Sequence, residues 1–269
     1  MNLTFKSKPN CGAQKDLSNH MNLNPLADKK STNNFYQVET FNSNLFIGIV
    51  GKQNNLIDYQ NPLSTVRVQE KKLLASLIGL SQERIIFLEQ EHHDKIWLIE
   101  SKPKENQLFL GKGDALISSC PEICLVIRTA DCLPVFIYDF EKKILGAIHS
   151  GWRGICKQVV PKTINKMKNH FNSKIKDLKI FILPFIGPKA YEIKKEVAQY
   201  FSSQFIKKES NSLFLDLGAS LKEDLKKEGV SPSNIFQTKK CTFHDNNEFF
   251  SHRKADAGRN LNFGFLTKG

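Results

Sequence analysis

The sequence predicts a single mixed α+β domain, and two observations carry that expectation. From Phe35 onward, short apolar runs of strand length alternate with stretches of helical periodicity. No Pro/Gly/Ser-rich linker or internal repeat divides them, and 269 residues with 40% apolar and 25% charged content suffice for one sizeable core. Residues 1–34 are rich in Asn, Lys and Ser and lack periodicity, so they are expected to form a polar, poorly ordered lead-in to a domain spanning 35–269.

The elements follow in order. Apolar residues at 66, 73, 74, 77, 78 and 80 predict an amphipathic helix from Val66 to Leu80. The strand Arg84-Ile-Ile-Phe-Leu88 then runs into Gln90-Glu-His-His93, which sets two histidines at or just past a strand end. Cys124-Leu-Val-Ile-Arg128, Pro134-Val-Phe-Ile-Tyr138 and Ile144-Leu-Gly-Ala-Ile148 are dense apolar runs and read as buried strands. The pattern then changes to His149-Ser-Gly-Trp-Arg-Gly154 and to an amphipathic stretch from Ile155 to Met167: a strand, a glycine-containing turn and a helix. The unpaired N–H groups and positive dipole end of such a helix offer an anion seat, with Arg153 as a charged donor.

Composition limits the function classes. The longest apolar run, Ile180–Ile186, is far short of the ~18 residues that a membrane span needs. With no basic stretch leading into an apolar core at the N-terminus, the expectation is a soluble cytoplasmic protein. The balance of 39 Lys+Arg against 27 Asp+Glu gives a net charge of +12. The lysines are scattered rather than interleaved with aromatics, which reads as solvated surface and argues against nucleic acid as a partner. Six cysteines, Cys11, Cys120, Cys124, Cys132, Cys156 and Cys241, read as buried thiols or metal ligands rather than disulfides.

Three segments interrupt buried strands with groups that a purely structural core would not choose: Gln90–His93, Arg128–Pro134 and His149–Gly154. Two imidazoles and a thiolate suit Zn²⁺ with a fourth position open for water or substrate, and soft ligation also admits Cu²⁺. The intervals are not those of a zinc finger, so spacing alone does not identify the site.

Longer strings do. Gly113-Asp-Ala-Leu-Ile117, Thr129-Ala-Asp-Cys-Leu-Pro-Val135, Gly146-Ala-Ile-His-Ser-Gly-Trp-Arg-Gly154, Ile186-Gly-Pro188 with Tyr191-Glu-Ile193, and Phe250-Ser-His-Arg253 with Gly258-Arg259 together resemble the YfiH family. That family has been called laccase-like multicopper polyphenol oxidase and is now described as purine nucleoside phosphorylase with adenosine deaminase activity. The resemblance implies a sandwich-type YfiH-like fold and metal ligation by His92, Cys132 and His149, with His92 chosen over His93 because Gln90 precedes it as in the family. It also implies pocket roles for Asp131, Arg153, Tyr191, Glu192 and Arg253. The chain departs from the family at Ile49–Asn54, where a Thr-x-Arg-x-Gly-Gly string is usual, and at Gln69-Glu70, where an Asn-Arg pair is usual. Arg67 or Lys52 would replace the lost arginine only in part.

The activity so implied is phosphorolysis of adenosine and inosine to the free base and ribose 1-phosphate, with adenosine deamination and methylthioadenosine phosphorolysis beside it. Purine nucleosides and phosphate are then the partners. A zinc ion lowers the pKa of bound water towards ~7 for deamination, with Glu192 or Asp131 as proton shuttle. Phosphorolysis needs an anion seat, assigned to Arg153 and Arg253. Three rivals stand beside this: a metal-free cysteine hydrolase using Cys132 and His149, a copper-dependent polyphenol oxidase, and a diverged, non-catalytic metal-binding protein.

Overall fold

Side-chain alternation along the apolar runs sets the architecture, because successive residues of a strand face opposite sides. The computed structural model describes residues 23–25, 36–38, 44–52, 57, 59–102 and 109–268; the remainder of the 1–34 lead-in, Cys11 and Gln53-Asn54 lie outside them. The strands are β1 (Leu23–Pro25), β2 (Tyr36–Val38), β3 (Leu45–Val50), β4 (Ile85–Phe87), β5 (Ile96–Ile99), β6 (Ala115–Ser118), β7 (Cys124–Thr129), β8 (Leu133–Asp139), β9 (Ile144–Ser150), β10 (Leu178–Ile182), β11 (Glu192–Ile193), β12 (Ile206–Glu209), β13 (Ser212–Leu215), β14 (Ile235–Gln237) and β15 (Asn260–Leu266). The α-helices are α1 (Leu63–Ile78), α2 (Trp152–Cys156), α3 (Val159–Phe171), α4 (Lys195–Ala198) and α5 (Leu217–Lys227).

Two six-stranded sheets run in the orders β1-β2-β3-β15-β7-β4 and β14-β10-β8-β9-β6-β5, and β11-β13-β12 form a smaller third. On β7, Leu125 and Ile127 meet Phe136, Leu145 and Phe181 of the second sheet in the core between the sheets. Their neighbours Cys124 and Val126 face the other way and pack with Val66, Leu73 and Leu74 of α1. On β8, Val135 and Ile137 pack against Val160, Ile164 and Met167 of α3 and Leu221 of α5. The layers are therefore helix, sheet, sheet, helix, and burying each such aliphatic side chain contributes about 1.5–3 kcal/mol.

The expected helix after Val66 begins three residues earlier and ends at Gly79, whose φ of 70° closes the last turn as a left-handed cap. The helix expected from Ile155 to Met167 is two helices, α2 and α3, parted at Gln158, where φ is 59°. Pro161 explains the break: a continuous helix would need its N–H to bond the Lys157 carbonyl, and proline has none, whereas it is tolerated in the first turn of α3. Both sheets deliver chain ends to one place. The short β7–β8 connection crosses from one sheet to the other through Ala130-Asp131-Cys132, and β8 pairs with β9 so that Pro134 lies opposite His149.

Candidate metal centre

Cys132 sits in the sheet-to-sheet turn, His149 at the end of β9 and His92 in the loop after β4. Their ligand atoms all lie within 4.8 Å of one another. Cys132 Sγ is 3.9 Å from His92 Nε2, close to the ~3.5 Å that separates two ligands on a tetrahedral zinc ion. The His92 and His149 rings meet edge to face with centroids 4.7 Å apart. His93 is turned away to Lys157, with Nδ1 2.9 Å from Nζ, so His92 is the histidine that the loop brings to the group.

A carboxylate that the sequence reading did not single out builds this geometry. Asp114 is fully buried at the start of β6 and accepts the backbone N–H groups of Glu91, His92 and His93 at 3.1, 3.0 and 2.8 Å. His92 has a φ of 59°, uncommon for a residue with a side chain, and the hydrogen bonds to Asp114 offset the cost. The same carboxylate takes His149 Nδ1 at 2.7 Å, which fixes the proton on Nδ1 and leaves Nε2 free to ligate. Burial would raise the Asp114 carboxyl, but the hydrogen bonds from His149, His93 and Glu91 outweigh it and hold the group below its ordinary range.

Burial also opposes ionisation of both Cys132 and His149. The mutual attraction of thiolate and imidazolium overcomes it, bringing the Cys132 thiol down to about 6, while Cys132 and Asp114 push His149 up to about 9. Without a metal the pair is thus thiolate and imidazolium, and loss of the His149 Nε2 proton to an incoming ion would leave a thiolate with two imidazoles, chemistry that fits a borderline-soft divalent ion. Gly151 is required beside it: a Cβ there would stand 2.8 Å from Cys132 Sγ and 3.4 Å from His92 Cδ2.

The three donors open onto a cavity of about 690 Å³ that is also lined by Leu88, Phe109, Arg67, Arg128, His252 and Arg259. Gln90 reaches across to β7, donating to the Arg128 carbonyl and accepting its N–H, both at 2.8 Å, which anchors the histidine loop to the strand that carries Arg128. A second cavity shares His92 and is lined by Trp152, Arg153 and Tyr200. A third shares Trp152 and holds Tyr191, Glu192 and Arg253. Arg153 lies over the Trp152 ring at 4.4 Å and Arg253 over Tyr191 at 4.9 Å. Asp131, with φ 85°, accepts the Thr242 hydroxyl at 2.6 Å on one oxygen and the Arg253 N–H at 2.8 Å on the other, so one oxygen fastens the turn that bears Arg253. Glu192 is exposed and accepts the Ser212 hydroxyl. Burial first, then the nearby Cys132 charge, pushes the Tyr191 phenol up to about 12.

With the geometry in place, a family model described as multi-copper polyphenol oxidoreductase laccase matches residues 53–267. The chain belongs to this family. Among its relatives, a purine nucleoside phosphorylase from Clostridium acetobutylicum is 33% identical over 186 residues, 68% of this chain and 76% of that protein. Purine nucleoside phosphorylase YfiH of Escherichia coli K12 is 27% identical over 208 residues, 75% and 81% of the two chains. The crystal structure of the YfiH protein of Bacillus licheniformis covers 88% of this chain and 98% of its own with a TM-score of 0.78 at 21% identity, which shows a common fold. The expected YfiH resemblance and mixed α+β class are therefore met. Among the described residues, no helix is long and apolar enough to cross a membrane.

The sequence does not announce the wall of the cavity beside His92, Cys132 and His149. Arg128 and Arg259 stood inside quoted strings, and Glu70 was noted only as a departure, but nothing in their spacing announces that α1, β7 and the lead-in to β15 bring them together.

Proposed function

We propose that the chain is a cytoplasmic, zinc-dependent purine nucleoside phosphorylase acting on adenosine and inosine, which also deaminates adenosine and phosphorolyses methylthioadenosine. The observation that carries this reading is the opening of the His92, Cys132 and His149 donor set onto an arginine-lined cavity large enough for a nucleoside and phosphate. The printed names of the relatives support the reaction class. Two imidazoles, one thiolate and an open position favour zinc over copper, and a zinc ion held there would supply Lewis acidity for hydrolytic removal of the purine 6-amino group.

The chain's own residues divide the remaining work. Arg67, Arg128 and Arg259, which line the same cavity as the three donors, hold phosphate on one side of His92, and Arg153 and Arg253 line the two cavities on its other side. The purine nucleoside spans His92 towards Trp152 and Tyr191, with Arg153 and Arg253 flanking it and Glu192 as the exposed carboxylate. In phosphorolysis a phosphate oxygen bonds to ribose C1′ as the C1′–N9 bond breaks, and that bond's electron pair leaves with the purine. The purine takes at N7 the proton that phosphate gives up, relayed by Glu192, while the Glu192 charge offsets the positive charge building on the ribose. Asp131 acts through Arg253, as a positioning residue.

Incubation of purified protein of measured metal content with adenosine and inosine, with and without phosphate, tests the reading. One zinc per chain, free base only with phosphate, and inosine from adenosine are expected. A zinc-loaded protein that turns over neither nucleoside would overturn it.

A further inference from the structure

A buried carboxylate stands among the guanidiniums of the cavity beside His92, Cys132 and His149. Glu70, fully buried on α1, accepts Arg67 Nη1 on Oε2 at 3.0 Å and Arg128 Nη2 on Oε1 at 2.7 Å. Each arginine thus gives one donor to Glu70, while the Nε–H groups of both are buried and have no partner. Arg67 is 9% exposed and both residues line the cavity. Buried donors without acceptors cost free energy, so the two guanidiniums are only partly satisfied by Glu70 while their residues line the cavity.

The surroundings of Glu70 are the guanidiniums of Arg67 on α1, Arg128 on β7 and Arg259 before β15, with the Tyr59 phenol, which burial and Glu70 itself keep protonated. Burial raises the carboxyl to about 8 in spite of the arginines, so its charge is expensive in this place. An incoming oxyanion would meet the same donors and feel that charge as repulsion.

We propose that Glu70, whenever it is ionised, competes with a bound phosphate oxyanion for Arg67 and Arg128, and so sets the cavity's affinity for phosphate. The inference rests on the assignment of phosphate to this cavity. With the carboxylate present, the cavity holds phosphate loosely enough to exchange it; without it, both guanidiniums turn fully to the ligand.

The test is calorimetric binding of inorganic phosphate to the metal-loaded protein and its Glu70→Gln variant at pH 9, where Glu70 is ionised, with nucleoside phosphorolysis assayed on the same samples. Phosphate is expected to bind the variant about tenfold more tightly or better, the scale of one unit charge removed at close range in a partly buried site. Equal or weaker binding in Glu70→Gln, with phosphorolysis intact in the native protein, overturns the inference and leaves the functional reading standing. Tighter binding in the variant without nucleoside turnover in either protein does the reverse. Should Glu70→Gln not fold, the uncharged, similarly sized Glu70→Met variant carries the same assay, and equal or weaker phosphate binding in it overturns the proposal.

Discussion

Asp114 holds His149 Nδ1 at 2.7 Å with the same oxygen that accepts the His92 N–H at 3.0 Å, so one buried carboxylate orients two of the three residues of the candidate metal site. Its other oxygen takes the N–H groups of Glu91 and His93. Asp114→Asn replaces one of these oxygens with an NH2 group and sets donors against donors whichever way the amide turns. Metal affinity is expected to fall about 10–100-fold, and stability by about 2–4 kcal/mol as buried donors lose their acceptor. Competition against a chelator reads the first and urea unfolding the second; native metal affinity in the Asp114→Asn variant would remove Asp114 from its positioning role.

Gly151 supplies a sharper probe because its backbone, with φ −78° and ψ −174°, suits any residue. The constraint is purely the 2.8 Å that a Cβ would leave to Cys132 Sγ. Gly151→Ala is therefore expected to fold with an unchanged circular dichroism spectrum while losing metal about tenfold or more, since a small displacement of one ligand disturbs the whole donor set. If metal content stays stoichiometric under the same chelator challenge, Cys132 is not held where the geometry puts it.

The strands and helices that carry this site are legible in sequence because each is a dense local pattern: Cys124–Arg128, Pro134–Tyr138 and Ile144–Ile148 all fall within strands of the structure. The break at Gln158 was hidden because the apolar period runs on through it, while the decisive feature, the missing N–H of Pro161, acts only on hydrogen bonding. His92, Cys132 and His149 were legible through the longer strings around them. Asp114 was not: a buried carboxylate that serves backbone N–H groups leaves no periodic trace, and its partners lie more than twenty residues away. The same holds for Glu70, whose meaning depends on Arg128, fifty-eight residues on.

Glu70 also ties stability to pH. Its folded-state value, about 8, lies above its ordinary value of 4.5, with burial as the first cause. A raised folded value means that the protonated fold is favoured below pH 4.5 and that this advantage drains away as pH rises to about 8, above which both states are ionised. Relative to Glu70→Gln, the native protein is expected to lose on the order of 3–5 kcal/mol between pH 4.5 and 8, then run parallel to it. Urea unfolding of both proteins at pH 5, 6, 7 and 8 measures the difference; parallel curves throughout would show that the two arginines compensate the buried charge fully.

The thiol of Cys132, brought down to about 6 beside His149, would serve a cysteine nucleophile as well as a metal ligand. What separates the two is His92, which a nucleophile–base pair does not need but which lies 3.9 Å from the sulfur and has a backbone fastened to Asp114. Cys132→Ser exchanges a soft thiolate for a hydroxyl that stays protonated at neutral pH, so zinc is expected to be lost at least tenfold. Native protein, with its thiolate coordinated, is expected to react with iodoacetamide at Cys132 only after chelation. Metal analysis and mass spectrometry of the alkylated protein read both outcomes together. Stoichiometric metal retained by Cys132→Ser, or rapid alkylation of the native protein with no effect of chelator, would transfer the site from metal chemistry to covalent catalysis by Cys132.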